Sequence, residues 1–115
     1  HVRPLYAAQP DVGPLATRET NLGVVLATPN GMTIYTYKED PDGQSVCYGR
    51  CARAWPPVVA DANAQPTGKL SVVNRKDGVR QWAYDGRPLY TWSKDQGPGE
   101  TTGHDVGKEW HVARP

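Results

Sequence analysis

Apolar and polar residues alternate with a period of two along several short stretches of this chain, the pattern of strands that bury one face. Residues 23–28 and 32–37 flank Pro29-Asn30-Gly31, where Asn-Gly supplies the positive φ angles of a tight turn, and together they predict a hairpin. Stretches 69–74, 79–84 and 87–92, separated by Arg75-Lys76-Asp77-Gly78 and Asp85-Gly86, predict a three-strand meander. A last strand over 109–113 is expected to pair back on the others. Ile34 and Thr36 face one side and Tyr35 and Tyr37 the other, just as Leu89 and Thr91 oppose Tyr90 and Trp92. Between Cys47 and Trp55 the pattern changes to one short helical turn near residues 51–55, stopped by Pro56-Pro57.

The pattern occurs twice. A constant offset of 55 superposes Gly31 on Gly86, Tyr35 on Tyr90, Thr36 on Thr91, Asp40 on Asp95 and Trp55 on Trp110. Tyr37/Trp92 and Ile34/Leu89 are conservative pairs in the same register. Two copies, about 22–60 and 69–113 joined by a 61–68 connector, predict a pseudo-symmetric domain in which each copy covers the other's apolar face. Residues 1–21, with three prolines and no periodicity, read as an extended N-terminal arm, and 22–115 as the folded domain.

Composition narrows the class. Twelve Gly and eleven Pro in 115 residues are too many for a helical protein, and six Tyr with four Trp suit short strands, so a small antiparallel all-β domain is expected. Thirteen basic residues balance twelve acidic ones, with no basic run longer than two, which argues against nucleic acid as a partner. The longest apolar run covers only 24–27, so no transmembrane span is expected.

Tyr35-x-Tyr37-x-x-Asp40 and Tyr90-x-Trp92-x-x-Asp95 share the pattern Tyr-x-aromatic-x-x-Asp, and the first is followed by Cys47-x-x-x-Cys51-x-x-x-Trp55-Pro56-Pro57. In these motifs residues 22–113 resemble a family of bacterial secreted repeats and predicted lipoproteins named for that Tyr/aromatic/Asp pattern. The resemblance implies an extracytoplasmic location, in the periplasm, on the outer surface or secreted. It also implies lipid anchoring for many members, for which the first residues of this sequence show no cysteine. It supplies no reaction.

In an exported protein Cys47 and Cys51 are expected to form a disulfide, worth about 2 kcal/mol for so small a loop. A structural role also fits their partner positions, Thr102 and Val106, since the second copy does without thiols. The alternative is a copper site, with Cys47 and Cys51 as soft thiolates and His104 or His111 as auxiliary ligands. Otherwise no cofactor is expected.

Tyr35, Tyr37, Trp55, Tyr90, Trp92 and Trp110 read as core rather than as a sugar-stacking platform. Asp40 and Asp95 each follow a strand, and a carboxylate accepting local backbone N–H groups is a simpler reading than paired acids for hydrolysis. With no catalytic arrangement visible, the chain is expected not to be an enzyme. The leading expectation is a non-catalytic binding module or accessory subunit of an envelope assembly, meeting a protein partner through residues 1–21 and an aromatic edge. Copper or redox handling and glycan binding through Tyr and Trp are the alternatives.

Overall fold

The computed structural model describes residues 12–115. Their elements, in order, are β1 (Ala16–Thr20), β2 (Gly23–Ala27), β3 (Tyr35–Tyr37), helix α1 (Arg50–Ala54), β4 (Leu70–Asn74), β5 (Arg80–Tyr84), β6 (Arg87–Pro88), a 3₁₀ turn (Val106–Lys108) and β7 (Trp110–Val112). The fold is a small all-β domain whose strands form antiparallel sheets ordered β1-β2, β3-β7 and β4-β5-β6. Isolated bridges join these sheets, so the three behave as one framework.

The two copies are related by a pseudo-twofold axis beside Tyr35 and Tyr90, whose N–H groups donate to each other's carbonyls at 2.8 and 3.0 Å. Around it further backbone bonds occur in matched pairs. Ala113 N–H donates to Ile34 O at 2.8 Å as Val58 N–H donates to Leu89 O at 2.9 Å. Leu26 N–H donates to Ala113 O at 2.8 Å as Trp82 N–H donates to Val58 O at 2.9 Å. The last strand of each copy is thus inserted into the sheet of the other. A single copy would leave these backbone groups unpaired, so neither half completes itself.

The expected alternation holds and separates two cores. Ile34 and Leu89 enter one cluster with Leu26, Leu70 and Trp82, while Tyr35 and Tyr90 enter a second with Trp55, Trp110 and Cys47. The helical turn near 51–55 is α1, and its counterpart in the second copy is the 3₁₀ turn.

Three expectations change. Residues 16–20, read as part of the arm, form β1 against β2. Their polar composition hid an edge strand whose apolar partner does the burying, and Val12 and Leu15 pack in the core. Residues 1–11 of the expected arm lie outside the described residues. The hairpin of 23–28 with 32–37 forms only near its turn, where Thr28 N–H donates to Met32 O at 2.9 Å and Ile34 N–H to Leu26 O at 3.0 Å around the Ala27–Thr33 bridge; beyond it the arms diverge, because Leu26 N–H and Ile34 O both turn to Ala113. The third meander strand is only Arg87–Pro88, because proline offers no N–H and the chain turns away to pair Tyr90 with Tyr35 and Pro57.

Candidate functional site

The repeated motif is completed between copies. Tyr35 Oη donates to Asp95 Oδ2 at 2.7 Å, and Tyr90 Oη donates to Asp40 Oδ2 at 2.6 Å. The second oxygen of each carboxylate closes a local loop, as expected from the sequence. Asp40 Oδ1 accepts from Val46 N–H at 2.8 Å, and Asp95 Oδ1 accepts from Thr102 N–H at 3.0 Å and its hydroxyl at 2.6 Å. Both tyrosines are fully buried. Burial first, and then the carboxylate that each one faces, push their phenols well above the ordinary value. Burial also raises the Asp40 carboxyl, against the opposing pull of Tyr90, Val46 N–H and Arg75. A tyrosine that keeps its proton and a carboxylate already accepting from three groups or two make a clamp and not a nucleophile.

The six aromatic rings follow the same symmetry. Trp92, Trp55, Trp110 and Tyr37 form one continuous stack, with centroid separations of 3.9, 3.8 and 4.2 Å. Tyr35 meets Trp55 edge-on at 5.3 Å and Tyr90 meets Trp110 edge-on at 5.2 Å. Rings of the two copies alternate along the stack. Its inner members Trp55 and Trp110 are buried, and only the ends Tyr37 and Trp92 are partly open. The aromatic positions therefore build the core, and the stack presents no open platform.

Cys47 and Cys51 are joined by a disulfide, with sulfurs 2.07 Å apart, so neither offers the copper alternative a thiolate. His104 and His111 do come together, but around Asp105 and away from the cysteines: His111 Nδ1 lies 3.3 Å and His104 Nε2 3.9 Å from its carboxylate. His104 Nδ1 accepts from Val112 N–H at 3.1 Å, which leaves the ring proton of a neutral imidazole on Nε2. That is the atom facing Asp105, whereas a ligating histidine donates from its other nitrogen. His104 is thus held to β7 by its hydrogen bond from Val112, with the Asp105 carboxylate beside both imidazoles.

Arg75 is a site residue that sequence patterning gave no reason to select. Its buried guanidinium donates to Ser45 Oγ at 2.9 Å, Cys47 O at 2.8 Å and Gln81 Oε1 at 3.1 Å, and pairs with Asp77 at 3.1 Å. Ser45 in turn lies 2.7 Å from Tyr90 Oη, linking Arg75 to the Tyr90–Asp40 clamp. The Arg75 hydrogen bonds hold the Asp77 carboxyl below its usual range.

Two surface clefts occupy equivalent places in the two copies. One, of about 290 Å³, is lined by Pro14, Pro29, Val58 and Val59. The other, of about 280 Å³, has Lys69, Ala113 and Arg114 where the first has Pro14, Val58 and Val59, together with Tyr84, Arg87 and Asp85. Offsetting the sequence by 55 was enough to align Pro14 with Lys69 and Val59 with Arg114, but not to show that these positions share a cleft.

Two exchanged repeats, a short disulfide loop and a mainly β framework define a repeat protein of the exported class. The chain belongs to the family described as a secreted repeat of unknown function, whose model matches residues 16–59 and 71–114, one match for each copy. The family and the disulfide place it outside the cytoplasm. No curated protein and no solved structure gives a significant match. Among the described residues no helix is long and apolar enough to cross a membrane.

Proposed function

We propose that this chain is a non-catalytic binding module of the bacterial cell envelope, acting as an accessory subunit of a surface or membrane-associated assembly. One observation carries the reading: the polar groups of the repeated motif are occupied in joining the two copies. Asp40 and Asp95 serve the tyrosines of the opposite copy, and neither lines either cleft described above. The ring stack and the disulfide likewise support a rigid framework. What such a framework offers a partner is its surface, where side chains can differ without disturbing the clamp.

Native electrophoresis of gently solubilised envelopes tests this, combined with a photo-cross-linking residue at exposed Val59 or Arg87 of the full chain. Migration with a larger assembly, and a discrete adduct with one envelope component, is the expected result. Migration as a free monomer without an adduct at either position overturns it.

A further inference from the structure

We infer that the cleft lined by Lys69, Arg87 and Arg114 is a binding site for a small dianion, in the first place a phosphate monoester. The assignment deepens the binding-module reading and rests on it.

Three cations line this cleft against a single acid, Asp85. Among the described residues, the ammonium of Lys69 and the guanidinium of Arg87 have no hydrogen-bond or ion-pair partner. Like charges gathered on one concave surface repel, and a fold gains nothing from them unless an anion joins. The repeat supplies an internal control. At the same backbone positions the first copy carries Pro14, Met32 and Val59, and its cleft, of nearly the same volume, has no cation and one acid, Asp61, among its lining residues. The architecture therefore forms without the cations. Interior positions beneath them keep their character, Leu15 matching Leu70, Ile34 matching Leu89 and Val58 matching Ala113, so the divergence is confined to the rim.

The site is also partly organised in advance. Arg114 Nη1 donates to Leu22 O at 2.7 Å, which fixes one guanidinium at the rim. Lys69 Nζ rests 5.9 Å from the Tyr84 ring centre. Leu89, Val112 and Ala113 give an apolar floor for a short carbon body. Two guanidiniums match the planar, multidentate geometry of phosphoryl oxygens, and a monoester carries about −1.5 to −2 at neutral pH, enough to balance the surplus. A volume of about 280 Å³ suits a phosphorylated group of triose or hexose size. Such a group could be free in the medium or be the headgroup of an envelope lipid.

The test is titration of the ¹⁵N-labelled full chain with inorganic phosphate and with glycerol 3-phosphate at low ionic strength, followed by ¹⁵N and ³¹P NMR. Flotation with phosphatidylcholine vesicles, with and without phosphatidic acid, forms the second arm. Saturable shifts are expected at the amides of Lys69, Asp85, Arg87 and Arg114. Arg87→Met and Arg114→Val install the residues of the first copy, and each is expected to weaken binding about tenfold or more. Should Arg114→Val unfold through loss of the Leu22 contact, Arg87→Met still decides, because its guanidinium bonds to nothing among the described residues. Saturation by the soluble phosphates alone assigns a solute. Flotation that requires phosphatidic acid and is lost in Arg87→Met assigns a headgroup. No saturable binding in either arm, or binding untouched by Arg87→Met, overturns the site and leaves the binding-module reading standing. Release of inorganic phosphate from glycerol 3-phosphate by the protein, at a cleft confirmed by Arg87→Met, overturns the non-catalytic reading and leaves the site standing.

Discussion

Tyr35 in the first copy donates its phenolic hydrogen to Asp95 in the second at 2.7 Å, and the mirrored bond from Tyr90 to Asp40 runs back at 2.6 Å. The motif that recurs along the sequence is thus a device for joining its own two occurrences. Removing the Tyr35 hydroxyl leaves a buried carboxylate oxygen short of its donor and takes the acceptor from Gly103 N–H, 3.2 Å away. Tyr35→Phe should cost about 1–3 kcal/mol. In a double-mutant cycle with Asp95→Asn, urea denaturation should show coupling of about 1 kcal/mol or more. Additive losses would mean that the bond contributes little beyond the packing of its ring.

The same two tyrosines predict the alkaline limit of stability. Their phenols are raised above the ordinary value of 10.0, so above about pH 10 the unfolded chain releases protons that the folded chain retains. The folded state then binds more protons, and stability falls as pH rises, by about 1.4 kcal/mol per pH unit for each buried tyrosine. Urea midpoints measured from about pH 9 to 11 should bend near pH 10 and fall toward this slope above it, and tyrosinate absorbance for this pair should appear only with unfolding. Tyr90→Phe should flatten the slope by about half. On the acid side the signs differ between carboxyls. Raised Asp40 carries a cost at neutral pH that is relieved as pH falls through its folded value, whereas lowered Asp77 contributes stability that is lost as pH falls through its own.

Much of this framework is legible in the chain because residues 30–55 align with 85–110 without a gap and the alternation at Ile34-Tyr35-Thr36-Tyr37 fixes which side chains share a face. The disulfide follows from the compartment that the motif implies. Partner choice between strands is not legible: β3 has the same alternation whether it pairs with β2, as a hairpin would suggest, or with β7, as it does. Strand exchange depends on which copy caps which, and both copies present the same edges. β1 escapes patterning because an edge strand of Ala, Thr, Arg and Glu has no apolar face of its own. Arg75 escapes because a buried cation is defined by acceptors from residues 45, 47 and 81, which only folding gathers.

Gly103 tests the ring stack. A Cβ at this position would lie 2.8 Å from one atom of Trp55 and 2.9 Å from one of Trp92, inside van der Waals contact with two rings that are themselves stacked. Trp55 cannot yield without disturbing Trp110 beyond it. Gly103→Ala should cost about 1–3 kcal/mol by overpacking, despite being the smallest substitution available. Near-ultraviolet circular dichroism should lose intensity from coupled indoles together with stability. A neutral substitution with an unchanged spectrum would show that the stack has slack.

The segment around Cys47 is held in two ways, and their relative weights can be predicted. The disulfide closes a loop of residues 47–51, too short to restrict the unfolded chain by more than about 2 kcal/mol. Arg75 holds the same segment through Cys47 O and Ser45 Oγ, and Gln81 Oε1 adds a third acceptor inside the protein. Losing the guanidinium leaves all three without that donor in a region closed to water, a cost of about 3 kcal/mol or more. Arg75→Met should therefore destabilise the chain more than reduction of the disulfide does. It should also weaken the Tyr90 clamp through Ser45, so that Tyr90→Phe costs less in that background than in the parent. Urea midpoints of the oxidised, reduced and Arg75→Met proteins rank the two effects directly. If reduction alone unfolds the chain while Arg75→Met is tolerated, the covalent link, and not the buried cation, is what fixes this loop against the β framework.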